Sequence, residues 1–423
     1  MQRRGLLALG RALGLNGRLE APAASACSRA FSAQPSPSDD GDGVPDAERP
    51  FRASDLVVER STVRQPPVDL EALKFGAVFT DHMFVAEHAA GRGWAAPAIR
   101  PLAPIALHPA AQVLHYGMCA FEGMKAYHGA DGRMRLFRPE ANMARLLRSA
   151  HRLQLATFEP QEMLACLKQL LVLDSGWLPA REGYSLYIRP FMFSSSGVLG
   201  VAKPIATTAS ILLSPVGPYF KTGLSPIALF VDEHNRRAWP GGAGDYKVGS
   251  NYAPTIEPQV RAAAAHGTPQ VLYTFRESAQ HPDDAAFEEC GAMNIFFYIK
   301  QRDGTRVLAT PPLAGTILPG ITRDSILQLA RSWGAAGGVD DVVERRVTLA
   351  EVQQAHQEGR LLEVFGSGTA CIVQPVGSLV RVNGEVYTAA PFDPEAGLAA
   401  RLQRALMDIQ YGRVEHPWSV AVE

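Results

Sequence analysis

The sequence has few cysteines, and their placement argues against two classes of protein. Its 423 residues contain 5 cysteines, widely spaced, with no C-x-x-C pair and no Cys/His grouping at zinc-ligand spacing. A disulfide framework and a zinc centre are therefore not expected, and we expect no metal site. Free thiols in a reducing compartment are the simplest interpretation.

Long hydrophobic runs and an excess of charge of one sign are also lacking. No uninterrupted apolar run is long enough to span a bilayer, and the net charge is only −1. We therefore expect no membrane and no nucleic acid as partners. What remains is an ordinary composition for a soluble globular enzyme, with 47% apolar and 20% charged residues, at a length that favours two domains.

Strand and helix patterns alternate along the chain and predict an α/β (α+β) fold. A cluster of turn-forming residues near 214–223 divides it into a small N-terminal α/β domain at 51–215, a linker at 216–224 and a larger domain at 225–423. Apolar runs of strand length occupy Met134–Phe137, Tyr184–Phe193, Ile205–Leu213, Ile227–Val231, Gln270–Phe275, Asn294–Ile299 and Leu361–Phe365. Helical patterns occupy Asn142–Leu155, Gln161–Leu173, Thr322–Ser332, Leu349–His356 and Pro394–Ile409.

The first 31 residues carry five arginines and one glutamate, with leucines and alanines between them. This composition is typical of an organellar transit peptide, and Arg29–Ser32 resembles a matrix-protease cleavage site. We expect a protein of the mitochondrial matrix. A plastid is the less favoured alternative, because serines are few, and a disordered basic tail is the structural alternative. Residues 32–50, rich in Pro, Ser, Asp and Gly, are expected to form a disordered lead-in.

Lys247 lies in the most informative segment, Arg237–Tyr252 (RAWPGGAGDYKVGSNY). The glycines of this loop let the backbone bend sharply and approach a bound ligand. A lysine amine that attacks a carbonyl needs apolar walls or nearby positive charge to lower its pKa. A P-loop is excluded, because Tyr246 and Val248 stand where that motif has Gly and Ser or Thr. On its own, a lysine in a loop is more often a solvated surface residue.

Other segments supply the groups that a nucleophilic lysine needs if it carries pyridoxal 5′-phosphate. The acid Glu289 precedes the strand at Asn294 and is able to hold a proton on the pyridine nitrogen. The turn before the helix at Thr322 and the small-residue loop at Thr369 offer backbone N–H groups to a phosphate, and Arg145 adds positive charge. Each segment alone is more often plain structure. Together they predict a pyridoxal-phosphate enzyme.

With these motifs, the sequence resembles the branched-chain amino-acid aminotransferases, class IV pyridoxal-phosphate enzymes of fold type IV, and among them the mitochondrial eukaryotic form. The resemblance runs from about Phe75 (FGAVFTDHMF) to Arg413 (DIQYGR). It implies a two-domain fold with the cofactor at the domain interface, and a homodimer. It also implies reversible ping-pong transamination of L-leucine, L-isoleucine and L-valine with 2-oxoglutarate.

The resemblance also implies roles for residues. Lys247 is expected to bind the cofactor as a Schiff base and to carry the proton during catalysis. Glu289 fits the E-x-G-x-x-N pattern and is expected at the pyridine nitrogen, whereas Glu288 does not fit it. The other expected cofactor contacts are Arg145, Tyr252, Ile321, Thr322 and Thr369. The expected substrate pocket consists of Tyr116, Phe121, Tyr187, Arg189, Val201, Tyr219 and Ala370.

Two departures from the family pattern and three alternatives accompany this interpretation. Ala292 stands where the family often has a threonine near the substrate carboxylate, so we expect one hydrogen bond fewer there. The loop Arg276–Phe287 is several residues longer than usual, and its polar composition favours the surface. The same fold serves D-amino-acid aminotransferases and aminodeoxychorismate lyases. A vitamin-B6-binding protein that has lost activity is the non-enzymatic alternative.

Overall fold

The computed structural model describes residues 48–63, 69–218, 224–276 and 285–423. The expected transit peptide, most of the lead-in, the centre of the linker and most of the long loop after Arg276 lie outside the described residues, as does Tyr219. In the part that is described, no helix is both long enough and apolar enough to cross a membrane.

The first of two sheets comes mainly from the N-terminal half of the chain and has ten strands among the described residues. They are β1 Val57–Val58, β2 His82–Ala89, β3 Gly93–Trp94, β4 Ala98–Pro101, β5 Cys119–Phe121, β6 Met124–His128, β7 Met134–Phe137, β8 Ser185–Ser194, β9 Ala206–Val216 and a C-terminal strand. The long strands β2, β9 and β8 pair antiparallel at its centre. Strand β1 joins the edge in parallel with β4.

The second sheet has nine strands in the described part of the chain. They are β10 Ile227–Asp232, β11 Gln270–Phe275, β12 Ala286–Cys290, β13 Asn294–Lys300, β14 Arg306–Thr310, β15 Asp341–Glu344, β16 Leu361–Gly368, β17 Ile372–Arg381 and β18 Val386–Thr388. The path β12–β11–β10–β17–β16–β13 closes on itself, because β13 also pairs with β12. The sheet therefore contains a small closed barrel, and the α/β class predicted from the sequence is confirmed.

The final strand, β19 (Ser419–Ala421), pairs antiparallel with β7. The end of the chain thus returns to the first sheet. Strand β9 ends at Val216 and β10 begins at Ile227, so the chain passes from one sheet to the other over a segment that includes the predicted linker at 216–224. The first sheet therefore contains residues from both ends of the described chain. The division into two domains at that segment stays a prediction.

The helices are α1 Gln112–Tyr116, α2 Pro139–Arg152, α3 Pro160–Leu173, α4 Ile256–His266, α5 Ile321–Trp333, α6 Leu349–Gln357 and α7 Leu398–Gln410. Helices α2 and α3 pack on the first sheet, and Leu146, Leu167 and Leu170 lie in that core. Helices α5 and α7 cover the second sheet, whose stacked rings Phe296 and Phe365 lie beneath them.

The predicted helices and strands are confirmed, with shifts at their ends. Strand β7 has the predicted bounds, and α2 begins three residues before the prediction, at Pro139, because proline fits the first helical turn, where no N–H donor is needed. Helix α7 begins at Leu398 and not at Pro394. The carboxylate of Glu363 accepts hydrogen bonds from the N–H groups of Leu398 and Ala399, which fixes the start of the helix there.

The core under α3 provides a test of packing. Leu167 is fully buried there, so Leu167→Ala should lower the free energy of unfolding by about 2–5 kcal/mol through lost contacts and a cavity. Urea denaturation followed by circular dichroism measures this change. Gln169→Ala on the exposed face of the same helix is the control and should change stability by less than about 0.5 kcal/mol. Equal effects of the two changes would contradict the packing described.

Candidate active site

A cavity of about 330 Å³ lies where the loop Arg237–Tyr252, called the lysine loop below, meets β5, the end of β16 and the start of α5. Both sheets contribute to its walls. Most of the site residues predicted from the sequence line it: Phe121, Arg145, Tyr187, Arg189, Lys247, Tyr252, Glu289, Ile321, Thr322, Thr369 and Ala370. A concave site of this volume suits a small molecule.

Lys247 presents its amine from a fixed backbone. Its N–H donates to Ser149 Oγ at 2.9 Å, and its carbonyl accepts a hydrogen bond from the Phe121 N–H at 3.0 Å. Its Nζ donates to Tyr252 Oη at 2.9 Å and lies 4.7 Å from the centre of the Phe121 ring. The amine therefore has the aromatic walls that a nucleophilic lysine requires.

Glu289, at the end of β12, is a carboxylate with 3% exposure. Its Oε1 accepts from the Leu318 N–H at 2.9 Å and pairs with Arg237 Nη1 at 2.6 Å, and its Oε2 accepts from Asn294 Nδ2 at 3.0 Å. Burial raises the pKa of Glu289 to about 7, and Arg237 and the Leu318 N–H act against this rise. The ion pair and the two hydrogen bonds hold the group in one orientation.

The neighbouring acid, Glu288, faces away from the lysine. It lines a separate cavity of about 100 Å³ that also includes Thr316. Burial raises the pKa of Glu288, and a hydrogen bond with Thr316 opposes that rise. The two acids point to opposite faces of the strand, as β-strand alternation predicts, and Glu289 is the one at the active-site cavity.

Arg145, on α2, is held by a carboxylate that the sequence analysis missed. Its Nε and Nη2 donate to the two oxygens of Glu122 at 2.6 and 2.9 Å, and Glu122 is fully buried. Its Nη1 donates to the Pro319 carbonyl at 2.9 Å, just before α5. Asn142 Nδ2 donates to the same carboxylate at 2.8 Å. These contacts fix the guanidinium beside the start of α5.

The start of α5 is an anion-binding feature on this side of the cavity. Gly320 is its N-cap and Ile321 its first residue. The first backbone N–H groups of a helix have no intrahelical acceptor, so Ile321 and Thr322 offer donors to an anion. With Arg145 alongside, the charge and the donors suit a phosphate.

The opposite wall is mostly aromatic. Arg189 Nη2 donates to Tyr187 Oη at 2.9 Å, and its guanidinium carbon lies 4.9 Å from the centre of the Phe121 ring. Phe75, which the sequence analysis did not select, meets the Tyr187 ring edge-on with 4.8 Å between ring centres. A Cβ at Gly123 would lie 2.1 Å from Tyr187 Oη, so any other residue there would displace the Tyr187 hydroxyl. This wall can accept an apolar side chain and has one cation for a carboxylate.

Two predicted substrate residues, Tyr116 and Val201, lie outside this cavity in a single chain. Tyr116, at the end of α1, is 39% exposed, and its hydroxyl donates to the Leu199 carbonyl. Val201 is 80% exposed. Tyr219 lies outside the described residues. Ala292, in contrast, does line the cavity, so the position expected to lack a hydroxyl is at the site.

The residues present fit pyridoxal 5′-phosphate. One cavity contains an amine, a buried carboxylate for a pyridine nitrogen, the Tyr252 hydroxyl and an anion-binding helix start with an arginine. The sequence analysis missed Arg237 and Glu122, the charged partners of Glu289 and Arg145. The sequence indicated these two residues only by their position, Arg237 at the start of the glycine-rich lysine loop and Glu122 next to Phe121.

Comparison with known proteins agrees with this geometry. A profile of the family described as Amino-transferase class IV matches residues 119–379. The cytosolic branched-chain-amino-acid aminotransferase of Mus musculus is 42% identical over 379 residues, which cover 89% of this chain and 95% of that protein. The mitochondrial enzyme of the same species is 43% identical over 374 residues, covering 88% and 92%. These identities do not separate the two forms.

The solved structures similar to this chain include branched-chain amino acid aminotransferases as well. The branched-chain amino acid aminotransferase of Escherichia coli superposes with a TM-score of 0.62 at 26% identity, covering 80% of this chain and 99% of that chain. The profile match spans more than half of this sequence and includes both Lys247 and Glu289. The chain belongs to the class IV aminotransferases and, within them, to the branched-chain amino-acid aminotransferase family.

Proposed function

We propose that the protein catalyses reversible transfer of the amino group between a branched-chain amino acid (L-leucine, L-isoleucine or L-valine) and 2-oxoglutarate by a ping-pong mechanism. The observation that carries this proposal is the single cavity that joins Lys247, Tyr252 and Glu289 to an aromatic wall containing Arg189. Family membership supports the reaction class.

Pyridoxal 5′-phosphate, when bound, supplies an electron sink that stabilises negative charge at the substrate α-carbon. Glu289 would hold the pyridine nitrogen, and Tyr252 would donate to the phenolic oxygen. The phosphate would be bound by Arg145, Ile321, Thr322 and Thr369. Lys247 would bind the cofactor carbonyl, and its amine would then accept and return the proton of the substrate α-carbon.

The aromatic wall explains how one site accepts two kinds of side chain. Phe75, Phe121 and Tyr187 offer apolar surface to a branched chain, and Arg189 offers its guanidinium to the distal carboxylate of glutamate. The Ala370 N–H would bind the α-carboxylate, with no hydroxyl at Ala292 to assist. A D-amino-acid aminotransferase or a lyase on this fold is the competing assignment, since pocket residues are easily altered.

We also propose a homodimer. The two pocket residues that the single chain leaves outside the cavity are exposed, Tyr116 by 39% and Val201 by 80%. Two apolar side chains near Tyr116 are exposed as well: Leu114 on the same helix by 58%, and Leu199, whose carbonyl accepts the Tyr116 hydrogen bond, by 65%. Apolar surface of this kind is typical of an interface. A second copy seated on it would allow Tyr116 and Val201 to approach a substrate pocket.

The proposed location is the mitochondrial matrix, supported by the arginine-rich composition of residues 1–31. The full chain with a C-terminal fluorescent protein should colocalise with mitochondria, whereas residues 32–423 with the same fusion should remain diffuse. Imaging both fusions in one plastid-containing cell type measures this. Plastid fluorescence of the full chain would overturn the assignment.

The substrate assignment is tested by absorbance. In the purified, cofactor-loaded protein, L-leucine should convert the yellow form to a colourless one, and 2-oxoglutarate should restore the yellow colour. Lys247→Ala should abolish turnover while leaving the circular dichroism spectrum unchanged, because the amine is lost without a change of fold. A response to D-alanine alone would overturn the substrate assignment, and retained turnover in Lys247→Ala would overturn the role of the lysine.

The two adjacent acids allow a matched test. Glu289→Gln removes the charge that would hold the pyridine nitrogen and should lower kcat by about a hundredfold, a typical effect of removing one such electrostatic contact. Glu288→Gln, on the other face of β12, is the control and should retain most activity. Steady-state kinetics with both variants measures the difference. If the two effects were reversed, Glu288 would be the functional acid.

A further inference from the structure

The turn Thr369–Cys371 joins β16 to β17 and forms one wall of the active-site cavity. On its other face lies a second cavity of about 260 Å³, lined by Lys125, Cys371 and Gln374 among others. Ala370 lines both cavities. Because a cavity lies on each side of the turn, close packing of neighbouring side chains does not fix its conformation.

The backbone where the turn ends is strained. Ile372 has a φ of 62°, in the left-handed region, which a β-branched residue rarely adopts. Its side chain is 8% exposed and packs in the core beneath α7. Strain of this kind persists only where the surroundings impose it.

Two hydrogen bonds from the first sheet restrain the turn. Thr369 Oγ1 donates to the Gly123 carbonyl at 3.1 Å, and Lys125 Nζ donates to the Ala370 carbonyl at 2.8 Å. Gly123 and Lys125 are separated by one residue at the start of β6. One short stretch of the first sheet therefore holds two successive residues of a turn that belongs to the second.

Lys125 is a costly residue at this position. It is 8% exposed, and among the described residues its Nζ has the Ala370 carbonyl as its hydrogen-bond partner and no carboxylate within salt-bridge distance. Burial lowers the pKa of Lys125 to about 8. An amine buried with so little compensation is unfavourable for folding, and an apolar side chain of similar shape would avoid this penalty. A lysine buried at this cavity wall is therefore better explained by a role in the site than by a contribution to stability.

We propose that Lys125 is a positioning residue for binding of the substrate carboxylate. By holding the Ala370 carbonyl, it keeps the turn Thr369–Cys371 in place ahead of the strained residue Ile372, so that the Ala370 N–H stays available to a carboxylate in the active-site cavity. This role rests on the proposed function, which places the substrate carboxylate at Ala370. Since Ala292 offers no hydroxyl there, carboxylate binding depends on the backbone of this turn.

Binding of an unreactive carboxylate tests the proposal. The probe is 4-methylpentanoate, which has the carbon skeleton of leucine and no amino group, titrated into the cofactor-loaded protein. Lys125→Met removes the donor and keeps the length of the side chain. The dissociation constant of the probe should rise about tenfold, as expected for loss of one hydrogen bond from a charged group. The KM for leucine should rise with it, and kcat should change less.

A matched lysine provides the control. Lys168 Nζ also donates to a backbone carbonyl, that of Ala421, at 3.4 Å, and it lines neither cavity. Lys168→Met should leave probe binding unchanged. Lys125→Gln, whose amide is too short to reach Ala370 and whose polarity suits the second cavity, is the alternative variant if Lys125→Met does not fold, with the same expected result.

Hydrogen exchange separates positioning from general support of the fold. In Lys125→Met, exchange should accelerate in peptides covering 366–372 and stay unchanged in β13 and α5. Equal probe affinity in wild type and both Lys125 variants would overturn the proposal, as would weaker binding accompanied by faster exchange throughout the second sheet. A wild-type protein that binds no probe would overturn the proposed function itself, together with the role of Lys125 that rests on it.

Discussion

The active site depends on a short contact between the lysine loop and strand β5. Ala120 and Val248 form an isolated antiparallel bridge, and the Phe121 N–H donates to the Lys247 carbonyl. This contact attaches a loop of the C-terminal half to the first sheet. The contact brings the Lys247 amine beside the Phe121 ring, which belongs to the other half of the chain. The relative position of the two sheets therefore sets the geometry of the site.

Buried charge is the second constraint. The pairs Arg145–Glu122 and Arg237–Glu289 join residues far apart in the sequence, and they contact the adjacent residues Pro319 and Leu318 at the cavity wall. Such pairs contribute little net stability, since desolvation offsets much of their attraction, but removing one partner leaves an uncompensated buried charge. The pairs hold an arginine and a carboxylate in fixed positions where a charged ligand can meet them, which preorganises the site.

The sequence predicted best those elements whose apolar residues are bounded by turns, such as β7 and β11. It missed β2, in which His82 and Glu87 interrupt the apolar pattern, and β12, a buried strand with two adjacent glutamates. In β12 the departure from the pattern and the function have the same cause, because a carboxylate required at the cavity replaces an apolar side chain. Patterns of apolar residues predict helices and strands, and these predictions fail where a functional residue interrupts the pattern.

Prediction of the site had a different limit. The lysine loop and the anion-binding turns were found because each is a local motif, and the resemblance to a family supplied their roles. The partners Glu122 and Arg237 were not found, because pairing across 23 or 52 residues leaves no local pattern. Tyr116 and Val201 illustrate another limit, since the resemblance implied a role for each, but the single chain leaves both exposed and outside the cavity.

The return of β19 to the first sheet has a consequence for biosynthesis. Strand β7 is made early, yet its partner Ser419–Ala421 follows only after the whole second sheet has been made. During synthesis, the growing N-terminal half holds an open sheet edge at β7 until residues 419–421 have been made, and open edges invite pairing with other chains. Completion of the first sheet is thus a late event in folding, and a chain that lacks residues 419–421 retains that exposed edge.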